Sequence, residues 1–305
     1  MTKIGIIGFG KVGNHIAYDL AIRKLADEIA IIDLFENSQI KSTVEGDIYD
    51  ILHAVAGETD VNIHLSDYED IKDSDMIIIT AGKARAQNGT ESRLDLAKFN
   101  TSLIKDIAHK LKSFNGVVIT ISNPLDVMNY VFWKESGLDR KKVIGSSGEL
   151  DSARFIHLLS EELKEKPTNV MAYVLGEHGD DQVPIFSRIG LHGKTPNLSP
   201  EQKENLRKDL VSASKVVVDN KGATWFAPSH HTANLVEAIV KDSGRLMICS
   251  VILQGEYGIS DISLGVPVKI GAEGIEHIDI WQLDSQESTA LKNASEKLKK
   301  FISEV

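Results

Sequence analysis

The 305-residue chain has one cysteine, seven prolines and no basic excess: 34 Lys and Arg stand against 44 Asp and Glu, a formal charge of −10. A lone thiol excludes an internal disulfide, and Cys249 lies in the apolar run LMICSVIL, where it reads as a buried structural residue. The acidic balance argues against a partner of dense negative charge, so neither nucleic acid nor an anionic membrane surface is expected. No apolar stretch reaches the roughly 18 residues of a membrane span. The opening MTKIGIIGFG is broken by glycines where a secretory leader keeps an apolar core. A cytoplasmic location is therefore expected, and the Asn-x-Ser/Thr triplets beginning at Asn88, Asn100 and Asn293 read as chance. What is present, 42% hydrophobic and 26% charged residues, suits an ordinary globular protein large enough for two lobes.

From Lys3 to about Gly145, short β-branched runs (KIGIIG, EIAIID, VNIHL, DMIIIT, GVVITIS, KVIG) mostly alternate with helical patterns. That rhythm predicts an α/β fold, a doubly wound parallel sheet of the Rossmann type, over residues 1–145. The runs are apolar throughout, as strands covered by helices on both faces must be. Over 146–305 the pattern changes to an α+β substrate and catalytic domain. It reads as a long helix, a strand VMAYVLG, helices over about 199–219 and 224–240, short strands with Gly turns, and a terminal amphipathic helix bearing Leu291, Ala294, Leu298, Phe301 and Ile302.

GxGxxG occurs as Gly8, Gly10 and Gly13, after the strand KIGII and before a helix whose Val12, Ile16 and Leu20 share a face. In that context Gly8 serves the tight turn, Gly10 admits a pyrophosphate to the backbone, and Gly13 lets helix and strand pack closely. The helix N-terminus offers amides to the phosphates. Twenty residues past Gly13 the second strand ends at Asp33, whose carboxylate suits ribose hydroxyls and repels a 2′-phosphate. NAD is the expected cofactor, and no metal is called for.

A second constellation gathers around His178, set between strand and glycine in YVLGEHGDDQVP. Asp151 and Arg154 in GELDSARF are one helical turn apart, and Arg93 ends the loop-like AGKARAQNGTESR. Together they suit a 2-oxo acid facing a nicotinamide. An Arg holds the carboxylate bidentately, a His supplies the carbonyl proton, an acid orients the His, and a second Arg polarises the carbonyl. A binding protein that senses NAD without catalysis would need only the cradle, so the His, acid and arginines argue for an enzyme.

At GFGKVG, ISNPLDV, GELDSAR and GEHGDDQVP the chain resembles the L-lactate/L-malate dehydrogenase superfamily, in particular its bacterial L-2-hydroxyacid members of the lactate and 2-hydroxyisocaproate type. The match is collinear over essentially the whole chain. The resemblance implies that His178 exchanges the proton, Asp151 orients it, Arg154 clamps the substrate carboxylate and Arg93 polarises the carbonyl from a mobile loop over about 82–93. It further implies that Asn123 touches both nicotinamide and substrate, that Thr224 lines the side-chain pocket, and that Val12, Ala81 and Gly82 join the glycines at the cofactor. The family implies a homodimer or homotetramer. Ile156 and Met171 stand where fructose 1,6-bisphosphate-activated relatives place an Arg and a His, so no such activation is expected. Counting back six residues from Arg93 puts Gln87 at the substrate-selecting position, the lactate-like choice; counting forward from Ala81 and Gly82 puts Arg85 there, the malate-like one. The counts differ because the loop is two residues longer. The apolar and aromatic KGATWFAPSHH favours a monocarboxylate such as pyruvate or 2-oxoisocaproate, with malate as the alternative.

Overall fold

The computed structural model describes residues 1–33, 38–83 and 93–305, and of 38–40 and 93 the backbone alone. Four apolar runs form the buried centre of a parallel sheet: β1 (Lys3–Ile7), β2 (Glu28–Ile32), β4 (Met76–Ile79) and β5 (Val117–Thr120), flanked by β3 (Asn62–Leu65) and β6 (Val143–Gly145). Their order, β3-β2-β1-β4-β5-β6, is that of a doubly wound dinucleotide-binding sheet. Ile4, Ile6, Ile77, Ile78, Val118 and Ile119 are all fully inaccessible, which explains why these strands read as unbroken apolar runs. Helices α1 (Lys11–Ile22), α2 (Ser38–Val55), α3 (Arg93–Lys110) and α4 (Leu125–Ser136) make the crossovers.

The sheet does not stop at the end of this half. β6, parallel to β5, pairs antiparallel with β11 (Arg245–Gln254), which pairs along its length with β12 (Ser260–Gly271). β12 carries β13 (Gly274–Ile278) and β8 (Val174–Gly176), and β8 carries β9 (Gln182–Pro184). At 10 and 12 residues, β11 and β12 are longer than the short strands expected, because their centres are buried on both faces under neighbouring helices. Those helices include α5 (Gly148–Leu163), α7 (Phe226–Val240) and α8 (Ser285–Ile302).

The run VMAYVLG is also not one strand. It splits into β7 (Val170–Met171), which pairs with β10 (Gly190–Leu191), and β8. At the break the Tyr173 ring packs edge-on against Trp281, with centroids 4.9 Å apart, and its carbonyl accepts from Ile185 N–H. α6 (Pro200–Lys221) begins in a capping box in which Ser199 and Gln202 satisfy each other's backbone donors. It packs with α5 around a second apolar cluster containing Phe155, Leu159, Phe186, Leu206 and Leu210. Among the described residues no helix is long and apolar enough to cross a membrane.

Candidate active site

The site lies at the carboxyl ends of the parallel strands, where β1 and β4 diverge in the order of the sheet. Gly8 leaves β1 with φ +98°, and a Cβ there would stand 2.5 Å from Ala81 N. A Cβ on Gly13 would stand 2.2 Å from the Gly8 carbonyl oxygen, so α1 lies directly against the turn. At Gly10, by contrast, a Cβ would meet nothing within 4 Å, because the residue borders open space. That space is a cleft of about 530 Å³ whose lining includes Gly10, Lys11, Asn14, Asp33 and Thr43. The first turn of α1 carries no acid, so its positive end is not neutralised from within the helix. Asp33 is held there by the Phe9 N–H, which donates to its Oδ2 at 2.7 Å. An open edge at Gly10, a donor-rich helix end and a carboxylate beyond it fit an NAD pyrophosphate and adenosine ribose.

Across the strand ends, Asp151 of α5 joins two other predicted residues. Its Oδ2 lies 2.7 Å from His178 Nδ1, and its Oδ1 accepts from Arg154 Nη1 at 3.1 Å. The three side chains are 5%, 18% and 17% exposed for Asp151, His178 and Arg154, so the pair of contacts is screened little by water. Burial works against a charged His178 ring. The Asp151 charge and hydrogen bond, with Asp126 adding to them, outweigh burial and the opposing Arg154, and the imidazole pKa is raised.

Asn123 lies exposed at the exit of β5, directly before Pro124 caps α4. Thr224 is half-buried before α7, which is tied to the dinucleotide turn by Ser229 Oγ donating to Val12 O and to β6 by the Ser146–Thr232 hydroxyl contact. Ala81 and Gly82 lie at the exit of β4, and Arg93 is the first residue of α3. Gln87 and Arg85 lie outside the described residues, as does the Arg93 side chain. Two aromatic residues of the segment KGATWFAPSHH pack beside α1. Trp225 lies under Lys221 and Lys11, whose ammonium groups are 3.3 and 4.3 Å from its ring centroid, and Phe226 is 64% exposed beside His15.

Two buried residues went unrecognised in the sequence. Asp126, 2% exposed at the start of α4, accepts the His178 backbone N–H at Oδ2 over 2.7 Å and the Ser250 hydroxyl at Oδ1. Asn100, read only as part of a chance triplet, is 2% exposed. Its Oδ1 accepts from Lys83 N at 2.8 Å while its Nδ2 donates to the Asn123 carbonyl at 2.7 Å, joining the β4 exit to the β5 exit. Of the described residues, Glu28, His64 and Asp70 gather as potential metal ligands, but the Lys3 ammonium already sits 3.3 and 3.2 Å from the two carboxylates.

Known proteins match this arrangement end to end. The family model for the lactate/malate dehydrogenase NAD binding domain matches residues 2–145, and that for the lactate/malate dehydrogenase alpha/beta C-terminal domain matches 148–305. The malate dehydrogenase of Natronomonas pharaonis is 41% identical over 98% of this chain and 97% of its own. The L-lactate dehydrogenase of Thermoanaerobacter pseudethanolicus is 37% identical over 100% and 99%. The solved structure of a minor L-lactate dehydrogenase from Enterococcus mundtii superimposes with a TM-score of 0.92 at 30% identity, covering 100% of this chain and 98% of that one. With its sheet order, glycine turn and family models all in agreement, the chain belongs to the lactate/malate dehydrogenase family, NAD-dependent enzymes that act on 2-hydroxy acids.

Proposed function

We propose that Asp151, His178 and Arg154 are the working groups of an L-2-hydroxyacid dehydrogenase whose preferred pair is L-malate and oxaloacetate. The observation that carries the reaction is the single buried carboxylate touching both the imidazole and the guanidinium. The cofactor, when bound, would supply the hydride for reduction as NADH and accept it in oxidation as NAD+. Arg154 holds the carboxylate next to the carbonyl in a planar fork that a lysine cannot offer. His178, kept in one tautomer by Asp151, gives its proton to the carbonyl oxygen and recovers it in the reverse direction. Arg93, at the head of α3, polarises that carbonyl, Asn123 orients it, and Thr224 borders the substrate side chain. Assembly as a homodimer or homotetramer belongs to the same reading.

Malate is preferred for two reasons. The rings of Trp225 and Phe226 lie against Lys221, which weakens the argument for an apolar tail. Arg85, at a fixed chain distance from Ala81 and Gly82, supplies the second cation a dicarboxylate requires. A second reading, a monocarboxylate enzyme of the lactate or 2-hydroxyisocaproate type with Gln87 at the selecting position, is favoured by the lengthened loop and by the L-lactate dehydrogenase relative. Steady-state NADH oxidation with oxaloacetate, pyruvate and 2-oxoisocaproate separates them. The malate reading expects oxaloacetate to lead in kcat/KM by about 10²-fold or more, and Arg85→Gln to erase most of that lead. Pyruvate or 2-oxoisocaproate leading in the unaltered enzyme establishes the second reading instead.

A further inference from the structure

Asp126 is a buried acid whose charged form burial disfavours. It is 2% exposed, and among the described residues it forms no ion pair with Lys or Arg. Its partners are the His178 N–H and the Ser250 hydroxyl on β11. Ser250 Oγ in turn lies 2.9 Å from Ser263 Oγ on β12, and Asn129 of α4 donates to both Ser263 Oγ (2.8 Å) and the Ser250 carbonyl (3.1 Å). Asn129, Ser250 and Ser263 are completely inaccessible. A carboxylate removed from water without a fixed cation costs the fold free energy, and a use for its charge accounts for keeping it. The nearest group able to carry positive charge is His178 itself.

We propose that Asp126 is a positioning residue for the proton-transfer step: braced from β11 by Ser250, it fixes the backbone of His178 and supplies a second buried negative charge that favours the protonated imidazole. Asp151 sets the ring from the side of Nδ1; Asp126 sets the main chain that carries the ring. One acid comes from α5 and the other from α4, so His178 is held by both halves of the chain. The charged groups that act on the pair are Glu177 beside His178 and Asp151 and Arg154 on α5, and His231 on α7 in turn feels Asp151 and Arg154. Glu177 and Asp126 repel each other, while Arg154 opposes charge on the ring. Burial pushes the Asp126 carboxyl up to about 7, against the two hydrogen bonds that lower it. Its charge is therefore fully present only above that pH.

The inference rests on His178 as the proton donor, and the test separates the two. Asp126→Asn keeps the size of the group and an acceptor for the His178 N–H but removes the charge. The His178 imidazole resonance, identified by its absence from His178→Asn, is titrated by NMR in the full-length enzyme. In Asp126→Asn its pKa is expected to fall by about half a unit or more. The falling limb of kcat/KM for oxo-acid reduction should move to lower pH with it. An unmoved resonance overturns the proposal. A resonance that moves while the kinetic limb stays put supports the hold of Asp126 on the ring but removes His178 from proton transfer, the failure of the underlying reading. Should Asp126→Asn not fold, Ser250→Ala serves in its place. It leaves the carboxylate with one hydrogen bond fewer, so its charge is less stable, and both readouts must move in the same direction; no movement overturns the proposal.

Discussion

Arg154 reaches Asp151 Oδ1 through Nη1, and its remaining donors face no other described partner. Arg154→Lys would keep the charge but lose the fork, so KM for the oxo acid should rise about 10- to 100-fold with a smaller change in kcat. An unchanged KM in steady-state assays would remove Arg154 from the carboxylate. The companion residue governs pH. Because Asp151 raises the His178 pKa, the imidazolium needed for reduction persists above the usual 6.5 and is lost only as pH rises through the raised value. Oxidation of the hydroxy acid needs the neutral ring and has the opposite slope. His178→Ala should lower kcat by about 10²-fold or more and flatten both slopes. A variant that kept the wild-type pH profile would place the proton on another group.

At the scale of elements, the contact between β1 and α1 separates two glycines with different duties. A methyl at Gly13 collides with the Gly8 carbonyl oxygen at 2.2 Å, backbone against backbone, so α1 must move off the strand. A methyl at Gly10 meets nothing, and the residue already has a permitted φ of −72°. Gly13→Ala should therefore lower Tm by several degrees and weaken NADH binding. Gly10→Ala should leave the Tm of the free protein unchanged and still weaken NADH about 10-fold or more, by filling the space a pyrophosphate uses. Calorimetry with and without NADH checks both, and a Gly10→Ala enzyme of normal affinity would place the phosphates elsewhere.

Gly8, Gly13 and the apolar runs of β1, β2, β4 and β5 were legible because their constraints are local. A turn, a close crossing and a strand covered on both sides each leave a mark within a few residues. Asp126 and Asn100 were not legible. Asp126 meets His178 across 52 positions of chain, and Asn100 spans the exits of two different strands, so neither leaves any spacing to recognise. Aromatic composition says nothing about direction: the Trp225 ring packs against Lys11, 214 positions earlier, a contact no local spacing reveals. At the break in VMAYVLG the Tyr173 ring packs on Trp281, again a partner remote in sequence.

For the molecule as a whole, one sheet runs from β3 through β6 and β11 to β9, so the two halves share a core, and titration of a buried group within it bears on global stability. His231 of α7 is such a group. Its Nδ1 is buried with no hydrogen-bond partner among the described residues, and burial, aided by the charges of His230 and Arg245, lowers its pKa from 6.5 to about 4. Between those values the unfolded chain binds a proton that the folded chain refuses. Stability from this residue is therefore complete above 6.5 and is lost as pH falls toward 4, on the order of 1 kcal/mol per pH unit. Asp126 acts oppositely: with its folded pKa raised from 3.8 to about 7, the native state holds the extra proton and is weakened as pH rises across that interval. The two slopes overlap and partly cancel in the unaltered protein, so its own pH profile identifies neither. The difference between the protein and His231→Leu does, since Asp126 is common to both. Urea denaturation at a series of pH values should show the variant gaining on the parent steadily below 6.5 and running parallel to it above. Parallel behaviour throughout would mean that His231 accepts its proton in the fold as readily as in the unfolded chain.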